Sequence, residues 1–467
     1  MKKVLLIAPL TEQYSGIRNY GVPPIGVHRL ASFLNAHGQD VTVYDSNIHG
    51  DITPYIHKQK WDIIGISILN DTLALSLEMF IRLEKECPES LLISGNAEAI
   101  CNYSDILDNC NCNIIILGEG EYPMLDICND VPLHQIKGII FRNRGVEITN
   151  DILWDYYKDM DFSKMGWDKY NKLNEQFFAN DPNLKPSMVR LVTSSHCNFG
   201  CSFCSLTGLH EFSCGRKVKP AYLSGDQIDI LLTRIKKQLP ETTYVYFVED
   251  SVIVNRSRVP DFCSALKKHP EFKYLVQTET NKIDRDILKQ FSDSQIIHVT
   301  YGIENGSENV RRHMGKIQNS EKIENIIEWH KEFGIRCYYL IILFDPNSTI
   351  EDLIINCEIL EKWLSKGISI SVEPFMMPYR LSKVFSQDFE FDYKFNTLSN
   401  GRVLKHPYII YPANPEVREI MEEFKKRIPI YFQKFEKESG HTHKSKDHTG
   451  FIHYCILKDL LTERKYI

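Results

Sequence analysis

Two long runs of alternating strand-length and helix-length segments, separated by one interruption, restrict this chain more than any other feature. In the first run, residues 4–10, 41–45, 63–68, 91–94 and 114–117 are short and almost wholly apolar. Such runs predict parallel strands covered on both faces. Residues 26–36, 72–87, 97–107 and 122–128 lie between them with helical periodicity. Residues 138–142 and 146–148, around Asn143-Arg144-Gly145, predict a closing hairpin. Strand–helix alternation gives a doubly wound parallel sheet whose ligands lie beyond the carboxyl ends of its strands. No G-x-G-x-x-G follows the first strand, which argues against a dinucleotide site.

The interruption mixes aromatic residues (Trp154, Tyr156, Tyr157, Trp167, Tyr170) with turn formers and ends in Asn180-Asp181-Pro182-Asn183-Leu184-Lys185-Pro186. It predicts a linker whose rings pack at a domain interface. Strands then recur at 189–193, 244–248, 274–278, 296–302, 336–343 and 368–375. A helix opening on the Ser224–Gln227 capping box and others at 260–269, 284–291, 320–333 and 349–366 connect them. Six such units make three quarters of a β/α barrel, whose active groups gather at the carboxyl ends of the strands. Beyond about residue 385 the alternation fades, and 414–435 reads as an amphipathic helix exposing Lys425, Lys426 and Arg427. The predicted fold class is α/β: a doubly wound Rossmann-like domain (1–150), a linker (151–186), a partial (β/α)6 barrel (187–385) and a mainly helical carboxyl-terminal region (386–467).

A chain of 467 residues, 43% hydrophobic, is long enough for two or three cores. A formal net charge of −6 speaks against nucleic-acid or membrane-surface partners. No apolar run approaches the roughly 18–20 residues of a membrane span. The run at 4–10 is too short for a signal peptide and is followed by Thr11-Glu12-Gln13 rather than a small-residue cleavage site, so it reads as a buried strand. Thirteen cysteines, an odd count in a large chain, predict reduced core residues in a cytoplasmic protein.

The strand at 189–193 runs into Ser194-Ser195-His196-Cys197-Asn198-Phe199-Gly200-Cys201-Ser202-Phe203-Cys204, a C-x3-C-x2-C spacing. Soft thiolates suit iron–sulfur clusters, and a short loop can wrap three of them round one face of a cube, leaving the fourth iron open. Buried small hydrophobes are one rival reading. Zinc is another, with His196, His210 or Cys214 as fourth ligand, although zinc knuckles usually pair two C-x2-C units. The spacing, with Phe203 directly before the last cysteine, resembles the radical S-adenosylmethionine (SAM) superfamily. That resemblance implies that Cys197, Cys201 and Cys204 hold a 4Fe-4S cluster whose open iron chelates the amino and carboxylate groups of SAM.

Further matches assign SAM contacts by the same resemblance. An acidic motif at the end of the next strand accepts a hydrogen bond from the SAM ammonium, which implicates Glu249 and Asp250 jointly. Gly302-Ile303-Glu304-Asn305-Gly306-Ser307 resembles the "GIESGS" signature and implies that Glu304 reaches the SAM ribose or carboxylate. Gln277 and Glu279 end the preceding strand, where relatives commonly carry arginine. Asp345-Pro346-Asn347-Ser348-Thr349 resembles a D-P-x-x-T pattern of relatives that handle small polar natural products. Cys214, Cys337, Tyr301 and Tyr339 are the candidate proton or hydrogen donors.

Residues 1–150 resemble the cobalamin-binding domain that precedes the radical SAM domain in one large subfamily. Val22-Pro23-Pro24-Ile25-Gly26, the segment 38–45 and Gly118-Glu119-Gly120-Glu121 carry the likeness. The D-x-H-x-x-G signature of histidine-ligated cobalt is absent, and Leu69-Asn70-Asp71-Thr72 offers no imidazole. The usual Gly-Gly pair after the fourth strand is Gly95-Asn96, which adds a side chain where backbone should approach a wide flat ligand. Cobalamin is therefore not favoured, and a vestigial pocket is expected, the domain serving to shape the barrel's open side.

The expected function is reductive cleavage of SAM to a 5′-deoxyadenosyl radical, fed by a flavodoxin- or ferredoxin-type reductant. The radical would take hydrogen from a small polar substrate, a natural product or amino sugar, for epimerisation, dehydration or oxidation. A cobalamin-dependent radical SAM C-methyltransferase is the alternative, and an iron–sulfur electron-transfer or sensor protein the remote one. His441, His443, His448 and His453 read as a solvated or substrate-covering tail rather than a metal site.

Overall fold

The computed structural model describes residues 1–9, 23–142, 145–148, 152, 154–177, 187–439 and 449–467. Leu10, Thr11-Glu12-Gln13, Val22, Asn143-Arg144, the segment 180–186, His441, His443 and His448 lie outside the described residues. The amino-terminal sheet comprises β1 (Lys3–Ala8), β2 (Asp40–Asp45), β3 (Ile63–Ser67), β4 (Leu91–Gly95), β5 (Ile114–Ile116), β6 (Ile139–Phe141) and β7 (Gly145–Glu147). Their order is β2-β1-β3-β4-β5-β6-β7, parallel as far as β5 and closed by the antiparallel pair expected from the sequence. Both faces are covered: Val4 and Leu6 enter one buried cluster, Leu5 and Ile7 another. The helix expected at 97–107 is two, Ala97–Cys101 and Tyr103–Asn109. They part at Asn102, whose amide donates back to the Glu98 carboxylate at 2.6 Å.

The second sheet runs in chain order, all parallel: β8 (Met188–Leu191), β9 (Tyr244–Phe247), β10 (Lys273–Thr278), β11 (Ile296–Glu304), β12 (Arg336–Phe344) and β13 (Ser369–Phe375). It is the partial (β/α)6 barrel. The helix Gly225–Gln238 opens on the expected capping box, in which Ser224 and Gln227 each bond the other's backbone N–H. Strand alternation divides the barrel wall. Val189, Leu191, Val245, Phe247, Tyr274 and Val276 are buried beneath the helices, while Arg190, Tyr246 and Leu275, aligned in register, line the concave face.

The aromatic segment joins the two units. The Tyr156 hydroxyl donates to Val192 O at 2.5 Å, and Arg29 lies 4.7 Å from the ring centres of both Trp154 and Tyr156. Tyr170 donates to Asp45.

The carboxyl-terminal region contains a hairpin that sequence periodicity missed, β14 (Phe391–Thr397) and β15 (Val403–Ile410), followed by helices Pro415–Ser439 and Thr449–Glu463. The hairpin tip docks on the amino-terminal domain: Ser399 donates to Glu78, Asn400 to Asn109 O, and Leu398 and Leu404 enter its core. Of the three cations expected to be exposed, only Lys426 is; Lys425 pairs with Asp392 and Arg427 with Glu463. His453 is not in a solvated tail but buried in the last helix against Phe424 and Phe432. No helix among the described residues is long and apolar enough to cross a membrane.

Candidate active site

Beyond β8 the chain turns through Cys197, Cys201 and Cys204 into the helix Leu206–Cys214. Backbone bonds fix that loop from three sides: Ser195 N to Ala221 O (2.8 Å), Ser202 N to Met314 O (2.9 Å) and Val384 N to Ser202 O (2.9 Å). Gly315 lies against the loop at φ +75°, a left-handed backbone that favours glycine.

Burial pushes the Cys201 thiol up to about 12 and Cys204 to about 11, and raises Cys197 as well. Cys197 also raises Cys204, and Cys204 raises Cys201, as expected of thiols carried close together by one short loop, the cysteine cradle. A cationic iron cluster would hold these sulfurs as thiolates despite that burial, so the donor set fits a 4Fe-4S cluster. The proposed zinc partners are engaged differently. His196 and His210 stack with centres 4.0 Å apart, and His196 Nδ1 meets Ser195 Oγ at 2.9 Å. Among the described residues no three Cys, His, Asp or Glu side chains gather to chelate a single ion.

The pair at the end of β9 separates. Glu249 is buried and faces away from the cradle: its carboxylate accepts from Thr193 Oγ1 and N, with the Arg258 guanidinium 3.9 Å away. It ties the end of β9 to the end of β8, which corrects the joint assignment. Asp250 is open to solvent yet walled by protein, which raises its carboxyl, and its charge acts on both Cys197 and Cys204.

Glu279 and Glu304 meet at a residue the sequence reading did not single out, Lys316. Its ammonium lies 3.0 Å from both Glu279 oxygens, 2.7 Å from Glu304 Oε1 and 2.9 Å from Gly302 O. Burial alone would lower the Lys316 pKa, but Glu304 and Glu279 outweigh it and hold the pKa raised. Glu279 is raised by burial despite Lys316. Two backbone features make the contact. Glu304 has φ +69° at a bulge where β11 slips against β12. Gly302 leaves room: a Cβ there would come within 2.4 Å of Glu304 Oε1 and 2.8 Å of Lys316 Nζ. The only sequence signal for Lys316 is the turn Met314-Gly315, which docks on the cysteine loop and brings the lysine to Cys201.

The rest of that signature is scaffold. Asn305 Nδ2 donates to Ile342 O, Gly306 N to Asn356 Oδ1, and Ser307 Oγ to Asp352. Gln277 is half-buried on the concave face. Tyr301, Tyr339 and Cys337 are corrected as donors: all three are buried in the core beneath the helices, Tyr301 against His330 Nε2 at 2.8 Å. Cys214 is buried at the end of its helix.

A cavity of about 310 Å³ opens at the carboxyl ends of β1, β3, β4 and β5, and Leu206, Leu209 and His210 of the barrel cover it. Gly65, Gly95, Gly118 and Gly120 line it, and a Cβ at Gly65 would lie 3.0 Å from Leu6 Cδ2. Asn96 does not obstruct it. At φ +81° its side chain folds back, accepting from Ala97 N at 2.7 Å and donating to Ser67 Oγ at 3.1 Å. The slot is therefore open rather than filled by the Asn96 side chain.

Glu98, two residues on, is buried at the junction with the hairpin and the segment after β13. His406 Nε2 is 3.9 Å away, but burial lowers that imidazole to about 4, so it is neutral and lends no charge. Burial pushes the Glu98 carboxyl up to about 7. A folded-state pKa above the unfolded 4.5 means that stability falls as pH rises through that window. Glu98→Gln is expected to match wild type near pH 4 and exceed it at pH 8 by on the order of 3 kcal/mol, read from urea unfolding against pH.

Residues 191–355 match the Radical SAM superfamily, and residues 18–127 match the B12 binding domain. The chain is 22% identical over 405 residues, 74% of its length and 73% of the relative's, to a cytidylyl-2-hydroxyethylphosphonate methyltransferase of Streptomyces wedmorensis. Its fold is similar to that of the radical SAM methyltransferase TsrM from Kitasatospora setae with tryptophan substrate and a SAM analogue bound (TM-score 0.69, 11% identity, 90% of this chain and 88% of that one). It is similar also to the cobalamin-dependent SAM radical enzyme OxsB with aqua-cobalamin bound (TM-score 0.70, 15% identity, 100% and 76%).

Proposed function

We propose, for a chain that belongs to the radical SAM superfamily and carries a B12-binding domain ahead of its barrel, that it is a cobalamin-dependent methyltransferase acting on a small polar molecule. This reading replaces hydrogen abstraction for epimerisation, dehydration or oxidation, and reverses the disfavour of cobalamin. The observation that carries it is the glycine-lined cavity of about 310 Å³, left open by Asn96 and roofed by the helix that follows the cysteine loop. One cavity wall thus belongs to each domain. The named substrates of the two methyltransferase relatives, a cytidylyl phosphonate and tryptophan, share no scaffold, so the likeness supports a reaction class rather than a substrate.

When bound, the cluster supplies the electron for reductive SAM cleavage and the corrin a carrier for a methyl group. Cys197, Cys201 and Cys204 would hold the cluster. Asp250, facing the cradle, would accept from the SAM ammonium, and Lys316 with Glu279 and Glu304 would form the polar wall against its ribose and carboxylate. Gln277 would meet substrate or SAM from the concave face. Glu249 would act only by fixing the strand ends. The proposed division is a B12-binding domain over 1–150, a linker to 186, the barrel to 385 and an accessory region to 467. Thirteen cysteines, none in a disulfide, suit a reducing, cytoplasmic setting and an external one-electron reductant.

The test is anaerobic reconstitution with hydroxocobalamin, desalting and measurement of retained corrin, then mass spectrometry of turnover mixtures containing methyl-labelled SAM. Near-stoichiometric corrin and label in a product are expected. SAM cleavage to 5′-deoxyadenosine without retained corrin would restore the hydrogen-abstraction reading.

A further inference from the structure

Arg190 stands in the middle of β8 between Val189 and Leu191, both fully buried beneath the helices, so its side chain faces the barrel's interior. Its Nε is buried with no hydrogen-bond partner, and no described residue gives the guanidinium a hydrogen bond or ion pair. Other arginines enclosed by protein do have partners, although Nε of Arg258 and of Arg311 is likewise buried without one. Arg29 binds Glu119 and Glu121; Arg258 binds Thr193 and Val252 O; Arg311 binds Asn305 O, Gly306 O and Ser320. A guanidinium cannot shed its charge in a protein, and a desolvated charge without a partner is costly. Arg190 is half-buried, and of its nitrogens only Nε is closed off from solvent without a partner, so the terminal nitrogens remain able to meet a group that enters the barrel.

The register neighbours of Arg190 bear no negative charge. Register places Tyr246 beside Arg190 and continues through Leu275 to His298, whose Nε2 is 3.0 Å from Thr300 Oγ1. Burial without a carboxylate lowers the Arg190 pKa, in contrast to Arg29 between its two glutamates. Arg190 precedes Cys197 by seven residues, on the strand that leads into the cysteine loop.

We infer that Arg190 anchors an anionic group, a carboxylate, phosphonate or phosphate, on the substrate that enters the barrel. The inference rests on the reading that the barrel holds a small-molecule substrate, and adds its charge class. The planar fork of arginine suits bidentate capture of such groups, with Tyr246 as a neighbouring hydroxyl donor.

The experiment uses the reconstituted holoenzyme and three probes: methylphosphonate and inorganic phosphate, followed by 31P line broadening, and acetate, followed by 1H saturation transfer. Wild type is expected to bind at least one, and the preferred probe distinguishes the phosphorus anions from the carboxylate. Arg190→Gln is expected to weaken that binding at least tenfold, and Arg190→Lys to retain part of it, while both keep cluster absorbance, corrin and SAM cleavage. Absence of binding for all three probes in wild type overturns the proposal whatever the variants do, and so does equal binding by wild type and Arg190→Gln. If Arg190→Gln lost its cluster, Arg190→Lys would decide: binding no weaker than wild type would sink the bidentate anchor. Failure of the methyltransferase reading would appear instead as lost corrin or methyl transfer with Arg190-dependent anion binding intact.

Discussion

Alanine at Cys197, Cys201 and Cys204 together is expected to remove the broad visible absorbance of the reconstituted protein and the paramagnetic signal of its reduced form, and to abolish SAM cleavage. The loss should be complete, because the cofactor carries the chemistry and these are the three thiols carried close together by one short loop. Cys214→Ala is the control: its thiol is buried ten residues on, at the far end of the helix Leu206–Cys214. The cradle should survive that change, since backbone bonds from Ala221, Met314 and Val384 hold the loop independently of Cys214. Loss of the cluster in Cys214→Ala would favour a fully thiolate-ligated electron-transfer centre over a SAM-cleaving one. The readouts are iron content, absorbance and low-temperature electron paramagnetic resonance.

Lys316→Met is expected to be the most damaging single change outside the cysteines. It leaves the Glu279 and Glu304 carboxylates buried without their cation, and removal of one partner from a buried ion pair typically costs about 3–5 kcal/mol. Glu279 is already raised above the ordinary carboxylate range by burial, and losing Lys316 raises it further. The sign follows: ionising Glu279 then opposes folding, so the variant should regain stability as pH falls towards the raised value. The triple change Lys316→Met, Glu279→Gln, Glu304→Gln should recover most of the stability, because no uncompensated charge remains. It should not recover SAM affinity, since the polar wall is gone. Denaturant unfolding against pH and equilibrium SAM binding separate the two effects. Full SAM affinity in the triple variant would remove this cluster from the proposed site.

Much of this architecture was legible because period and spacing are local. Apolar runs such as 63–68 and 114–117 became central parallel strands, the helix at 225–238 was marked by its capping box and that at 320–333 by periodicity. The hairpin at 391–410 was not legible, since Lys394, Lys405 and His406 break its apolar pattern and it is stabilised by docking on a distant domain. Cys197, Cys201 and Cys204 stood out for the same reason as the strands: the proposed ligands come from one loop, so their spacing is local.

What the sequence could not decide was which polar residues share a cavity. Glu249 and Asp250 are adjacent in the chain, yet one closes a buried pair with Arg258 and the other faces the cradle, because successive residues beyond a strand point in different directions. Lys316 joins Glu279 and Glu304 only through a left-handed glutamate, a glycine without a side chain in the way and a turn docked on the cysteine loop. Asn96 read as an obstruction by composition, but its backbone turns the amide onto Ser67 and the next helix, leaving the slot clear. Arg190 was not singled out in the sequence; strand alternation turns it to the barrel's interior, where no described residue pairs with it. The alternation and the cysteine spacing are written into the sequence because each is fixed within one stretch of chain. The open cavity, the Lys316 cluster and the unpaired Arg190 belong to tertiary structure, because each depends on strand register, backbone conformation and contacts between segments far apart in the chain.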